Sequence, residues 1–156
     1  MKRWGIGFSL SAIAWMGLIF YLSGVTESAV LSGTAPGSQA VSSVVSSETF
    51  NEALEKALFV TAGDYRSLMA HVFFFGTLSV LIQAALWGWG LGIRARMVIV
   101  ATVTASLFAL SDEYHQSFVP GRAASMEDFW ADSIAAAASA TLMWAIAISK
   151  LRRRWS

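Results

Sequence analysis

Ser111-Asp112-Glu113-Tyr114-His115-Gln116-Ser117-Phe118-Val119-Pro120-Gly121-Arg122 gathers two carboxylates, a histidine, an amide and an arginine into the eleven positions from Asp112 to Arg122. The segments on either side are apolar and carry almost no charge. Glu127, Asp128 and Asp132 follow as the next apolar segment begins. Ionisable groups are expensive at the edge of a bilayer. A break of this kind therefore separates two membrane spans and marks the first place to look for chemistry.

The rest of the chain reads outward from that break. Of 156 residues, 56% are hydrophobic and 13% charged, about half the charge of a soluble domain. There is no cysteine, which excludes disulfides and thiolate sites. Four apolar stretches approach the roughly 20 residues that cross a bilayer, at about 4–24, 67–89, 97–112 and 129–149. The third is short and gains length only if its polar flanks continue the helix. The sequence predicts an all-α polytopic membrane protein, a bundle of four transmembrane helices forming a single domain over 1–156.

Charge orients the bundle. Lys2 and Arg3 precede the first span, Arg94 and Arg96 separate the second from the third, and Lys150, Arg152, Arg153 and Arg154 follow the fourth. Those eight basic residues share one side with no acid; Lys56, Arg66, Arg122 and all ten acids take the other. The positive-inside rule then places both termini in the cytoplasm and the motif at the outer face of the cytoplasmic membrane. The apolar run after Arg3 exceeds the 7–15 residues of a signal peptide, which favours an uncut first span.

Residues 25–65 form the long outer connection, rich in Ser, Gly and Ala, with a turn at Pro36-Gly37. Thr49 and Glu52 have capping-box spacing, and Phe50, Leu54 and Leu58 recur every four residues. That pattern predicts a short amphipathic helix near 49–60. At the end of the first span, Tyr21 suits the interfacial belt and Ser23 reads as a helix hydrogen-bonder rather than a nucleophile. His71 lies one to two turns into the second span, where by itself it reads as bonded to a neighbouring helix. Gln83, deeper, reads as an amide joining two helices.

If the third helix continues through the motif, Asp112 and His115 stand at i, i+3, as do Glu113 and Gln116. Pro120-Gly121 then turns the chain, with Arg122 in the turn. Ser125-Met126-Glu127-Asp128 has the form of a capping box, with Ser125 at the N-cap and Asp128 at the third position. Asp132 is one turn further, on the face of Asp128. With antiparallel neighbours, both histidines and these acids fall near one level.

The run Asp112-Glu113-Tyr114-His115-Gln116, the following Pro120-Gly121-Arg122 and Asp128 resemble the signature of the VanZ-like family of small bacterial membrane proteins. His71 and the ending Phe20-Tyr21-Leu22-Ser23 are similar to the family pattern too. Many members carry Asn where this chain has Asp132. The resemblance implies a bacterial cell-envelope protein of the inner membrane, and the family's namesake raises tolerance to the glycopeptide teicoplanin. It brings no settled mechanism with it.

Three readings of the cluster follow from its residue types. In the first, the protein is an enzyme acting on an anionic envelope lipid or cell-wall precursor. His71 or His115 is then the general acid or base, Asp112, Glu113 and Asp128 assist, and Gln116, Arg122 and Asp132 hold the substrate, with Arg122 clamping a phosphate. A divalent metal held by His71, Glu113, His115 and Asp128 or Asp132 is a variant on donor type, without a dedicated metal spacing. In the second, the same residues bind a headgroup or the antibiotic, or pass a lipid across the membrane, which in so small a chain calls for a homo-oligomer. In the third, the cluster only pins the end of the bundle. Membrane lipids are the expected partners in the first two, and no nucleic acid is expected.

Overall fold

The computed structural model describes residues 2–24, 62–120 and 124–153. They form four helices: α1 (Lys2–Ser23), α2 (Ala62–Gly88), α3 (Ala95–Gln116) and α4 (Met126–Arg153). All four are long and apolar enough to cross a membrane, and no strand occurs among the described residues. The short helix expected near 49–60 and the loop before it lie outside the described residues. At a rise of 1.5 Å per residue, the 22 residues of α3 span about 33 Å, close to the hydrocarbon thickness of a bilayer.

Side-chain size decides how the helices meet. Large apolar residues point outward, as at Leu10, Ile13, Ile99, Val103, Leu107, Ile134 and Leu142. The interior is built largely from small ones. Ala101, Ala105 and Ala109 form one fully buried row along α3, and Ala135, Ala136 and Ala140 are buried on α4. In lipid, exposing Leu costs nothing, so helices associate where small residues permit close backbone approach. Larger buried groups, Phe75 and Leu78 of α2 and Ile19 of α1, fill the remaining core.

A few specific contacts fix the arrangement. Trp15 of α1 donates from Nε1 to the Phe74 carbonyl of α2 at 2.9 Å, and Trp89 donates to Ser9 Oγ at 3.1 Å, so α1 and α2 run antiparallel. Ser79 of α2 donates to the Ala136 carbonyl of α4 at 2.9 Å. That bond, with the contact of His71 and Asp132 at the starts of the same two helices, sets α2 and α4 parallel. Phe75 meets Phe108 of α3 with ring centroids 6.1 Å apart. The ends of α1 and α3, and the starts of α2 and α4, therefore share one end of the bundle, here called the acid-rich end. The start of α1, the α2–α3 loop and the end of α4 share the other.

That loop is tight. Gly90 N–H bonds to the Trp87 carbonyl and Leu91 N–H to the Leu86 carbonyl, the double closure of a Schellman motif. Gly90 sits at φ 87° and Gly92 at φ 78°, a region that glycine enters without a Cβ penalty. Close by, α1 and α2 touch through Gly5 and Gly88: a Cβ on Gly88 would lie 2.5 Å from Gly5 N and 2.6 Å from Gly5 Cα.

Candidate functional site

The buried alanine row of α3 continues, on the same face, into Asp112, Glu113 and Gln116. On α4 the buried row Ala140, Ala136, Ala135 leads up to Asp132. The close packing that small residues allow deeper in the bundle thus brings carboxylates together at its acid-rich end. Asp112 is 1%, Glu113 5% and Asp132 1% exposed.

Asp112 is the most fully bonded. Its Oδ1 accepts from Ser23 Oγ of α1 at 2.6 Å, and its Oδ2 from Gln116 Nε2 at 2.9 Å. The i, i+3 and i, i+4 geometry of a helix allows either Glu113 or Asp112 to take the Gln116 amide. The structure pairs it with Asp112, four residues back and only about 40° away around the helix. His115 does not bond to Asp112. It lies against α1 instead, stacked on Phe20 with ring centroids 3.8 Å apart.

Glu113 reaches across to α4. Its Oε2 accepts from the backbone N–H of Ser125 at 2.6 Å. Ser125 is the N-cap of α4, its Oγ accepting from Asp128 N–H at 3.2 Å. In an ordinary capping box the third-position acid would bond back to the N-cap N–H. Here Glu113 takes that N–H from another helix, and the Asp128 side chain turns elsewhere.

His71 is where α2 and α4 meet. Its Nδ1 lies 3.0 Å from Asp132 Oδ1, and its Nε2 lies 3.9 Å from Asp128 Oδ2. An ionised carboxylate can only accept, so in the neutral ring Nδ1 carries the proton and Nε2 the lone pair. The first distance is a hydrogen bond; the second is too long for one. The ring is also offset-stacked near Phe75, at 6.4 Å and 8°. Asp132, expected to touch substrate, holds the imidazole through Oδ1.

Six of the eight expected site residues, His71, Asp112, Glu113, Gln116, Asp128 and Asp132, thus gather in one place, joined by Ser23 and Ser125. His115 stands beside them, on the α1 side. Arg122 lies outside the described residues. Among those described, no three His, Asp or Glu side chains converge in a way that could hold a metal ion. Two carboxylate oxygens at the site, Glu113 Oε1 and Asp132 Oδ2, are buried and have no partner among the described residues. Gln83, read as joining helices, is fully buried with neither its Nε2 nor its Oε1 bonded. A groove of about 340 Å³ lined by Arg3, Trp4, Gly7, Phe8 and Ser11 opens at the opposite end and shares no residue with this site.

The family model for VanZ/LLP1 matches residues 8–148, from the first turns of α1 almost to the end of α4. The chain belongs to the VanZ/LLP1 family. The match spans every described residue of the site, so the site of this VanZ/LLP1 protein lies within the family's domain rather than in an added segment. With four helices able to cross a membrane, this VanZ/LLP1 chain is a multi-pass membrane protein. No curated protein and no solved structure matches it.

Proposed function

We propose that this protein acts on a lipid-linked component of the bacterial cell envelope at its acid-rich end, with His71 as the general base. The observation that carries this reading is the Asp132–His71 pair. A buried carboxylate fixes one ring nitrogen at 3.0 Å and leaves the other unbonded, facing Asp128 at 3.9 Å. That arrangement suits proton transfer, because the carboxylate sets the tautomer and steadies the imidazolium that forms. Nε2 would take a proton from a water or substrate hydroxyl, and Asp128, the most exposed of the four acids, would relay it outward. Arg122, in the adjoining turn of the sequence, would hold a phosphate.

The basic residues at the other end give the orientation: termini in the cytoplasm, acid-rich end facing out. Such a site would meet lipid-linked wall precursors and anionic lipids of the outer leaflet, and through them alter susceptibility to teicoplanin.

The test compares lipid and wall-precursor profiles by mass spectrometry in cells carrying the intact protein or His71→Gln, at matched membrane levels. A lipid that changes only with the intact protein supports catalysis and names the substrate class. Identical profiles would sink it. Orientation is checked separately: the chain has no cysteine, so Glu127→Cys can be labelled by a membrane-impermeant thiol reagent on whole cells if that end faces out.

A second reading, a binder or translocator without catalysis, is favoured by the two bare carboxylate oxygens, which look like places for a ligand's donors. It predicts that His71→Gln weakens ligand retention in proportion to any loss of phenotype, and that the working unit is a homo-oligomer.

A further inference from the structure

The bare oxygens have a consequence for what the site can hold. Glu113 and Asp132 are both more than nine-tenths buried, and each presents one oxygen, Oε1 and Oδ2, that no described group meets. The other oxygens of the three buried carboxylates are met: those of Asp112 by Ser23 and Gln116, Glu113 Oε2 by Ser125, Asp132 Oδ1 by His71. A buried acceptor left bare carries its full desolvation cost, so the two oxygens call for a donor.

The chemistry of that donor is narrow. Asp132 and Asp128 flank the imidazole, with Glu113 and Asp112 buried at the same end, and ionised carboxylates offer acceptors only. The oxygens of a phosphate would meet like charge here. A divalent ion needs several ligands converging at one point, which the described His, Asp and Glu side chains do not provide. A quaternary ammonium brings charge but no N–H. A primary ammonium brings a compact positive charge and three N–H donors, which suits two separate acceptors beside His71.

The surroundings are those of an amphiphile. His71 and Asp128, with side chains 13% and 37% exposed, form the open side of the cluster. Tyr114, Phe118, Met126 and Trp130 stand exposed at the same end, Tyr114 and Phe118 in edge contact at 5.0 Å. Aromatic groups at the end of a membrane helix lie at headgroup level, against glycerol and the first acyl carbons.

We propose that Glu113 Oε1 and Asp132 Oδ2 receive the primary ammonium of a membrane lipid headgroup, so that the lipid this site takes is an aminated one of the phosphatidylethanolamine type. This rests on the reading above that the site handles a lipid. It narrows the class, from lipids that are only anionic to lipids that carry phosphate and ammonium together.

Native mass spectrometry of the purified full chain decides it, using phosphatidylethanolamine, phosphatidylcholine and phosphatidylglycerol of identical acyl chains. The ethanolamine lipid is expected to be retained about tenfold better than either of the others, the effect of one charge-assisted contact. Equal retention of all three overturns the ammonium proposal and leaves the lipid reading standing; retention of none overturns both. Glu113→Gln and Asp132→Asn are each expected to remove the preference. Glu127→Gln takes one charge from an exposed position beside Asp128 and is expected to keep it. If the first two variants do not fold, the comparison of lipids on the unaltered protein still decides. Free phosphoethanolamine, the same head without tails, is expected to compete about a hundredfold more weakly, since it buries no acyl chain. Competition at equal strength would overturn the lipid as the source of the ammonium.

Discussion

Gly88→Ala is the substitution whose effect can be worked most directly from the structure. The new Cβ would sit 2.5 Å from Gly5 N and 2.6 Å from Gly5 Cα. Carbon atoms rest at about 3.5–4.0 Å, so the gap is short by roughly 1 Å. Both obstructing atoms are backbone, and no side chain can rotate away. The α1 helix must therefore move, and overpacking of this kind costs about 1–3 kcal/mol. Gly17→Ala is the matched control. Nothing lies within 4 Å of a Cβ there, and a mid-helix alanine gains about 0.5–1 kcal/mol over glycine. The two variants should differ by about 1.5–4 kcal/mol. At about 2–4 °C per kcal/mol for a chain of this size, that is about 3–16 °C in Tm. Thermal unfolding in detergent, followed by tryptophan fluorescence, reads the difference. If Gly88→Ala melts with Gly17→Ala or above it, the close α1–α2 contact does not exist as described. The shift should also be felt at the far end of the same helix, about 27 Å away. A 1 Å rigid displacement of α1 would stretch the 2.6 Å bond from Ser23 to Asp112 beyond hydrogen-bonding distance.

Three further outcomes are expected. Ser23→Ala leaves Asp112 Oδ1 buried and unpaired, which should cost about 1.5–3 kcal/mol in thermal stability, while Ser23→Thr should retain most of it. Ser125→Ala removes the side-chain cap of α4 but not the N–H that Glu113 accepts; a loss of about 1 kcal/mol is expected, and no loss would mean that the Asp128 N–H finds another acceptor. Gln83→Leu replaces an amide that is fully buried with neither end bonded, so it should raise the melting temperature; a clear drop would show that the amide is satisfied in the folded protein.

Much of this fold was legible in the chain because a bilayer imposes a coarse rule. A segment either is apolar for about 20 residues or it is not. The motif break at 111–122, the Arg94–Arg96 pair and the alanines at 135–138 each announced a boundary or a close contact without any geometry. Ser125 was legible too, since a cap is a local matter of three residues. The partners were harder to read. Periodicity says that Asp112, Glu113 and Gln116 share a side of α3, but not which acid takes the amide, nor that His115 turns to Phe20. Those choices depend on distances between helices that no spacing in the sequence records. Ser23 reads as a helix hydrogen-bonder and is one, but nothing local names Asp112 as its acceptor, which stands 89 positions away. Asp132, one turn beyond the cap, reads from the sequence as a site residue, but only the proximity of α2 to α4 reveals that its Oδ1 holds His71.

The bond from Glu113 to Ser125 bears on how such a protein is made. It closes over 12 residues, whereas His71 to Asp132 closes over 61 and Ser23 to Asp112 over 89. As the chain emerges, α3 and α4 can enter the membrane as a hairpin with one carboxylate already tied to a backbone N–H. Short closures form first, because they cost the least loop entropy. Asp112 must wait for α1 to dock before Ser23 reaches it, and until then only Gln116 of its own helix bonds to it; Asp132 must wait for α2 and His71. Each therefore favours assembly of all four helices over any partial bundle. A chain that loses α1 or α2 would keep its hairpin but carry one under-bonded acid within the bilayer, Asp112 in the first case and Asp132 in the second, a mark by which membrane quality control could recognise it.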